Sequence, residues 1–295
     1  MYDGTGLVNF GVEIGKPFIF VTTNYRVGGF GFLAGKEILA DGAANLGLLD
    51  QRMGLEWVAD NIAYFGGDPD EVTIAGESAG AISVLDQMVL YGGDHMYKGK
   101  PLFHGGIMSS GSIIPAEPID SERAQAVYDK VVRAGGCAGK ADTLGCLRAL
   151  DYTDFVNAVS APPGLLSYEG LALSYLPRPD GHVLPDSPDV LVREGKYAAV
   201  PFIVGDQEDE GTLFSLFQSN LTSKDALVEY LHNVVFKSAS EDQLSELVNT
   251  YNSGLAALWR AVHSAQVCSM TSFLDSSAAP LYSETFFLLC PDVHS

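Results

Sequence analysis

Val72-Thr73-Ile74-Ala75-Gly76-Glu77-Ser78-Ala79-Gly80 joins a short β-branched run to a glycine-flanked serine, and Ile82, Leu85 and Val89 follow at helical spacing. The reading is strand, tight turn, helix. A serine hydroxyl of ordinary pKa attacks carbonyl carbon poorly unless a base takes its proton and a rigid mount leaves the oxygen exposed. G-x-S-x-G supplies such a mount: the serine sits in a strained turn, and a side chain in place of either glycine would collide with the neighbouring element. The N–H of Ala79 then faces a developing oxyanion from the start of a helix. The five-residue pattern alone arises by chance in about one chain in ten of this length, given ordinary Gly and Ser frequencies. The strand before it and the helix after it give it weight.

Outward from this unit the chain alternates. Residues 17–25 (PFIFVTTNY) read as a strand buried on both faces, followed by a glycine-rich turn at 27–31. Leu55, Val58, Ile62 and Phe65 fall on one helical face, and Gly66-Gly67-Asp68-Pro69 stops that helix. Residues 105–109 (GGIMS) and 200–204 (VPFIV) read as further strands. Asp120 is the expected N-cap of a helix carrying Val127, Val131 and Val132, which Gly135 ends. Between about 137 and 196, Pro162, Pro163, Pro177, Pro179, Pro185 and Pro188 exclude long elements. Ser240 and Gln243 form a capping box before Leu244, Leu247, Val248 and Tyr251. Short buried strands alternating with amphipathic helices predict an α/β fold: a mainly parallel central sheet flanked by helices, with sites beyond the carboxyl ends of its strands.

Composition narrows the function classes. The 295 residues are 47% hydrophobic and 18% charged, a globular rather than disordered balance. With 37 acidic against 17 basic side chains the formal net charge is −20, which repels phosphate backbones, so nucleic acid is not an expected partner. No run approaches the roughly 18 apolar residues of a membrane span, and the first residues show neither the basic start nor the apolar run of a secretory signal. Cys137 and Cys146 bracket a short Gly-rich segment that a bridge could close, or they are two free thiols.

The wider pattern is more specific. Phe65-Gly66-Gly67-Asp68-Pro69 through Gly76-Glu77-Ser78-Ala79-Gly80 resembles the serine active-site signature of the type B carboxylesterase/lipase family, cholinesterase-like α/β-hydrolases. Asn24-Tyr25-Arg26-Val27, residues 45–52 (NLGLLDQR) and Trp57-Val58 match the family's usual upstream run. Residues 174–181 (SYLPRPDG) and 205–212 are similar to its fungal lipase branch. The likeness covers about residues 17–251, so a partial α/β-hydrolase domain is expected over 1–251 and an unassigned tail over 252–295.

The resemblance implies a set of roles. Ser78 is the nucleophile, Ala79 N–H an oxyanion donor, and Glu210, in Asp209-Glu210-Gly211-Thr212, the acid that orients a histidine. Leu213 and Phe214 fall where the fungal lipases line the acyl pocket, although a plain core role fits them equally. Cys137 and Cys146 match one family disulfide, and Asn220-Leu221-Thr222 is a glycosylation sequon similar to one in the lipases. The expected partner is a small-molecule or lipid ester; no cofactor or metal is implied, and secretion follows by resemblance.

Two family parts have no match. No HGGG-type oxyanion loop precedes Ser78, and His104-Gly105-Gly106 follows the nucleophile and leads into a strand. After Glu210 only His232, His263 and His294 remain, and none stands in a Phe-His-x-x-Asp setting. The fold is therefore expected to be incomplete at both ends and the chain as given inactive or nearly so; a shifted reading frame is one explanation for the tail. A non-catalytic, cholinesterase-like binding domain is the alternative, and retention of both Ser78 and Glu210 weighs against it.

Overall fold

A computed structural model of the protein describes residues 3–208, 210–251 and, through its backbone, the strand at Thr285–Leu289. Asp209, the remainder of the tail beyond Tyr251, and with it Cys268, Cys290, His263 and His294, lie outside the described residues.

Five strands form the central sheet: β1 (Ile19–Thr22), β2 (Val72–Glu77), β5 (Gly105–Ser109), β6 (Phe202–Gly205) and β7 (Thr285–Leu289), in the order β1-β7-β2-β5-β6. The hairpin of β3 (Met96–Tyr97) and β4 (Lys100–Pro101) stands apart. β2 pairs with β5 and β5 with β6 in parallel. β7 runs antiparallel to both β1 and β2, so β1, β2, β5 and β6 share one direction and β7 opposes them. Largely parallel sheets need helices as crossovers and covers, and the chain supplies them.

Before and between β1 and β2 lie α1 (Thr5–Glu13), α2 (Gly28–Phe32), α3 (Lys36–Asp41) and α4 (Leu46–Asn61). α5 (Ala79–Val89) links β2 to the hairpin; α6 (Glu122–Ala134), α7 (Thr143–Arg148), α8 (Tyr152–Val159) and α9 (Pro188–Arg193) separate β5 from β6. After β6 come α10 (Thr212–Ser215), α11 (Lys224–Tyr230) and α12 (Glu241–Asn249). The proline-rich middle thus holds helices of six to eight residues, short as expected.

α5 packs on β2 and β5. Its Val84, Leu85 and Met88 join Leu55 and Val58 of α4 and Val72, Ile74 and Met108 of the sheet in one core, which seals the strands that position the serine. The polar Gln51 and Ser83 are also buried there and satisfy one another, Gln51 Nε2 donating to Ser83 Oγ at 2.9 Å. A second core gathers α3, α6, α7 and α8 around Tyr128 and Val131, and the Cys137–Cys146 disulfide ties the end of α6 to α7. The pair of α11 and α12 has its own core of Tyr230, Leu231, Leu244 and Val248, opened by the capping box of Ser240 and Gln243.

Four local expectations are corrected. The glycine-rich turn after β1 coils into one helical turn, α2, entered from Val27 in extended conformation. The N-cap of α6 is Ser121, whose side chain accepts from Ala124 N–H, and not Asp120. Phe65 leaves the α4 core: after Asn61 the helix tightens into a 3₁₀ segment, Ile62–Phe65, and the tighter turn rotates Phe65 outward onto Trp57, ring centroids 5.9 Å apart. Finally, β6 reads as a buried strand, yet Phe202, Ile203 and Val204 are exposed.

Candidate active site

The strand register places the site. Glu77 of β2 aligns with Ser109 of β5, and Ser109 with Gly205 of β6, so these three residues form one row across the carboxyl edge of the sheet. Ser78 is the next residue beyond that row, and the loop to Glu210 leaves from Gly205 on the same edge. Backbone bonds lock the row: Ser78 N–H donates to Ser109 O at 2.9 Å and Ser110 N–H to Gly205 O at 2.8 Å.

Ser78 itself adopts φ 54°, ψ −120° between β2 and α5. A non-glycine residue in that region is strained, and such strain clusters where a side chain must be held outward. Serine at the entry to a helix ordinarily caps it. Here the Ser78 side chain makes no capping bond, so its hydroxyl is left for other work. The turn is possible because Gly76 lacks a side chain: a Cβ there would overlap the carbonyl of Gly80. Ala79, exposed, opens α5, and its N–H is among those a helix leaves unbonded in its first turn. The strained turn and the crowding at Gly76 are what the nine-residue sequence leads one to expect; the absence of a capping bond is not.

Glu210 is buried at 8% exposure, and one carboxylate oxygen accepts the backbone N–H of Gln207, which closes the loop on itself. Leu213 and Phe214 lie one turn on, half-buried in α10. Asn220 is exposed in a turn, accessible to modification. Sequence reasoning passed over Ser110. It has φ 67°, is 3% exposed between the Ser78 and Glu210 loops, and its hydroxyl has no hydrogen-bond partner among the described residues. A polar residue directly after the strand at 105–109 was the signal.

Of the described histidines, His104 stands at the opposite, amino edge, where its N–H donates to Val72 O. His232 Nδ1 lies 3.0 Å from Ala239 O in the α11–α12 pair, and the His95 and His182 rings rest against Phe103 and Tyr91. Behind the serine, Asp86 of α5 is fully buried with Oδ2 unpartnered, and burial pushes its carboxyl up to about 8. Among the described residues no group of three His, Cys, Asp or Glu is placed to hold a metal ion, and no helix is long and apolar enough to cross a membrane.

Comparison with known proteins places this geometry. The secreted triacylglycerol lipase LIP1 of Gibberella zeae is 66% identical over 256 residues, covering 87% of this chain and 44% of that protein. Secreted lipase 1 of Botryotinia fuckeliana is 60% identical over 255 residues, 86% of this chain and 44% of its own length. Among solved structures, that of Aspergillus niger EstA matches with TM-score 0.71 and 32% identity, over 84% of this chain and 48% of that one. The chain thus spans about half the length of the relatives it matches. A model described as the carboxylesterase family matches residues 1–282, and on that match the chain belongs to the carboxylesterase family.

Proposed function

We propose that this chain carries the nucleophile and acid of a serine hydrolase acting on carboxylic esters, small or lipid. Ser78 attacks the ester carbonyl, the N–H of Ala79 steadies the oxyanion, and the alcohol leaves to give an acyl-serine that water then cleaves. Glu210 holds the imidazolium that forms when a histidine takes the serine proton. Leu213 and Phe214 border the acyl group and Asn220 carries a glycan; the protein is secreted, a reading supported by the names of its relatives, secreted lipases of Gibberella zeae and Botryotinia fuckeliana. The observation that carries this reading is the strained Ser78, with an uncapping hydroxyl, at the same sheet edge that the Glu210 loop leaves.

No hydrogen bond joins a described histidine to Ser78, and triad members act as a unit, so losing the base can cost about as much as losing all three. We therefore infer that residues 1–251 form a partial hydrolase domain, that 252–295 lies beyond the motifs that name it although the family match runs on to residue 282, and that this chain alone turns over esters barely above background. A binding role without chemistry gains nothing from keeping both Ser78 and Glu210.

The test is a graft. The 256 residues aligned with the Gibberella zeae lipase are substituted into that protein, which supplies the remaining length, and the product is treated with a fluorophosphonate. Labelling at Ser78, lost in Ser78→Ala and slowed by orders of magnitude in Glu210→Gln, is expected. A folded graft that does not label would contradict the reading.

A further inference from the structure

Away from the nucleophile, a cleft of about 520 Å³ opens between α6, the 162–174 loop and the α11 region, within the roughly 300–1,000 Å³ range of small-ligand sites. Neither Ser78 nor Glu210 is among its walls. Four of the chain's 17 basic residues line it: Arg123, Lys130, Arg178 and Lys237. Against them stand Glu169 and Glu229, both exposed, so the cleft keeps an excess of two positive charges in a protein of formal net charge −20. None of the four cations forms an ion pair among the described residues, whereas Arg26, Arg148, Lys98 and Lys100 on the surface all do.

Arg178 is the most telling of the four. It is 3% exposed, its Nε has no hydrogen-bond partner, and its guanidinium makes one bond, from Nη1 to Glu117 O at 3.3 Å. The Glu117 carboxylate acts on it through space without forming an ion pair; burying a guanidinium without a hydrogen-bonded carboxylate is costly, and here the backbone of Arg178 is held in place by Asn45, which donates to its carbonyl at 2.8 Å and accepts its N–H at 3.1 Å. Arg123 is fixed at the wall in turn, its Nη2 donating to Val234 O at 2.6 Å and Ala172 O at 3.3 Å. Guanidinium groups held in place with donors to spare match the flat fork of a carboxylate. The remaining wall is apolar, with Val127, Pro163, Leu173 and Leu221.

We propose that this cleft binds an amphiphilic monocarboxylate, its head between Arg178, Arg123 and the two lysines and its chain along the apolar wall. A single negative charge suits an excess of two positive charges, and the wall gives a tail somewhere to lie, which a bare inorganic anion would not use. The site stands whether or not Ser78 is a nucleophile.

Titration calorimetry of the unglycosylated full chain tests this, since Asn220 stands at the rim. The ligands are octanoate, octan-1-ol and inorganic phosphate, each below its aggregation limit. Octanoate binds once per chain, and the other two bind at least about tenfold more weakly. Lys130→Gln with Lys237→Gln weakens octanoate about tenfold without moving the unfolding midpoint, and Arg178→Lys, which keeps the charge and loses the fork, weakens it as well. If Arg178→Lys fails to fold, the exposed lysine pair decides. Octan-1-ol binding as tightly as octanoate would reduce the cleft to an apolar groove, phosphate binding as tightly would make it a bare anion hole, and octanoate indifferent to the lysine pair would place it elsewhere; each overturns the proposal.

Discussion

β2 and β6 are both short, apolar and parallel, and both deliver a candidate catalytic residue from the carboxyl edge of the same sheet, yet β2 is sealed and β6 is open. Val72 and Ile74 of β2 are at most 1% exposed, covered by α4 and α5. Ile203 of β6 is 66% exposed and the strand pairs with β5 alone among the described strands. The turn after β2 leaves Gly76 no room, whereas nothing lies within 4 Å of a Cβ built on Gly205. An apolar sequence sets the tendency to form a strand; its neighbours decide whether the strand is buried. A nucleophile needs its oxygen held to within a fraction of an ångström, and the sealed strand is the one that bears the proposed nucleophile.

The sharpest break comes at the two glycines. Gly76→Val drives a branched side chain into the Gly80 carbonyl and is expected to cost about 4–5 kcal/mol, the exceptional end of single substitutions, and to abolish labelling of Ser78. Gly205→Ala meets nothing and is expected to change stability by less than about 1 kcal/mol, with a small gain from the stiffer unfolded chain. Denaturant unfolding of the pair measures both. Equal costs would mean that the elbow is no tighter than the open strand.

Next in size is the core contrast. Ile74→Ala leaves a cavity where packing is complete and is expected to cost about 3 kcal/mol, while Ile203→Ala stays within about 0.5 kcal/mol. Asp86 gives an effect that is smaller per pH unit and has a definite sign. Its carboxyl is raised to about 8 by burial and returns to about 3.9 on unfolding. The folded state therefore holds a proton that the unfolded chain has released across that window. The contribution of Asp86 to stability is highest below about pH 4 and falls toward pH 8, by at most about 1.4 kcal/mol per pH unit. Asp86→Asn should flatten that slope in melts taken at pH 5, 6, 7 and 8; a slope identical to the parent's would remove Asp86 from the account. The smallest effect on stability belongs to Ile203→Lys, which leaves the unfolding midpoint unchanged but raises the concentration at which the chain aggregates, because a charge on an exposed edge strand opposes edge-to-edge pairing.

The parts of the fold governed by local rules were legible. Residues 105–109 match β5 in full, the capping box before α12 is in place, and Gly66 and Gly135 stop α4's extension and α6 where they were expected to. What escaped depends on partners distant in sequence. Thr285 and the four apolar residues that follow it are too few to reveal a strand by period, and nothing local says that they lie between β1 and β2 against the direction of the rest. The exposure of β6 is likewise a property of what adjoins it. At the site, Ser78 and Glu210 carry motifs that name them, whereas Ser110 and the cleft cations carry none. Arg123, Lys130, Arg178 and Lys237 come from three separate segments, and their common cleft exists only once α6, the 162–174 loop and α11 meet.

The central claim is that a strained Ser78 and the Glu210 loop rise from one edge of the sheet. A crystal structure of the chain measures it directly. Ser78 is expected with φ near +54°, Glu77, Ser109 and Gly205 in one row, and the Glu210 carboxylate on the serine's side of that row. Ser78 in ordinary helical conformation, or Glu210 at the amino edge beside His104, would contradict it.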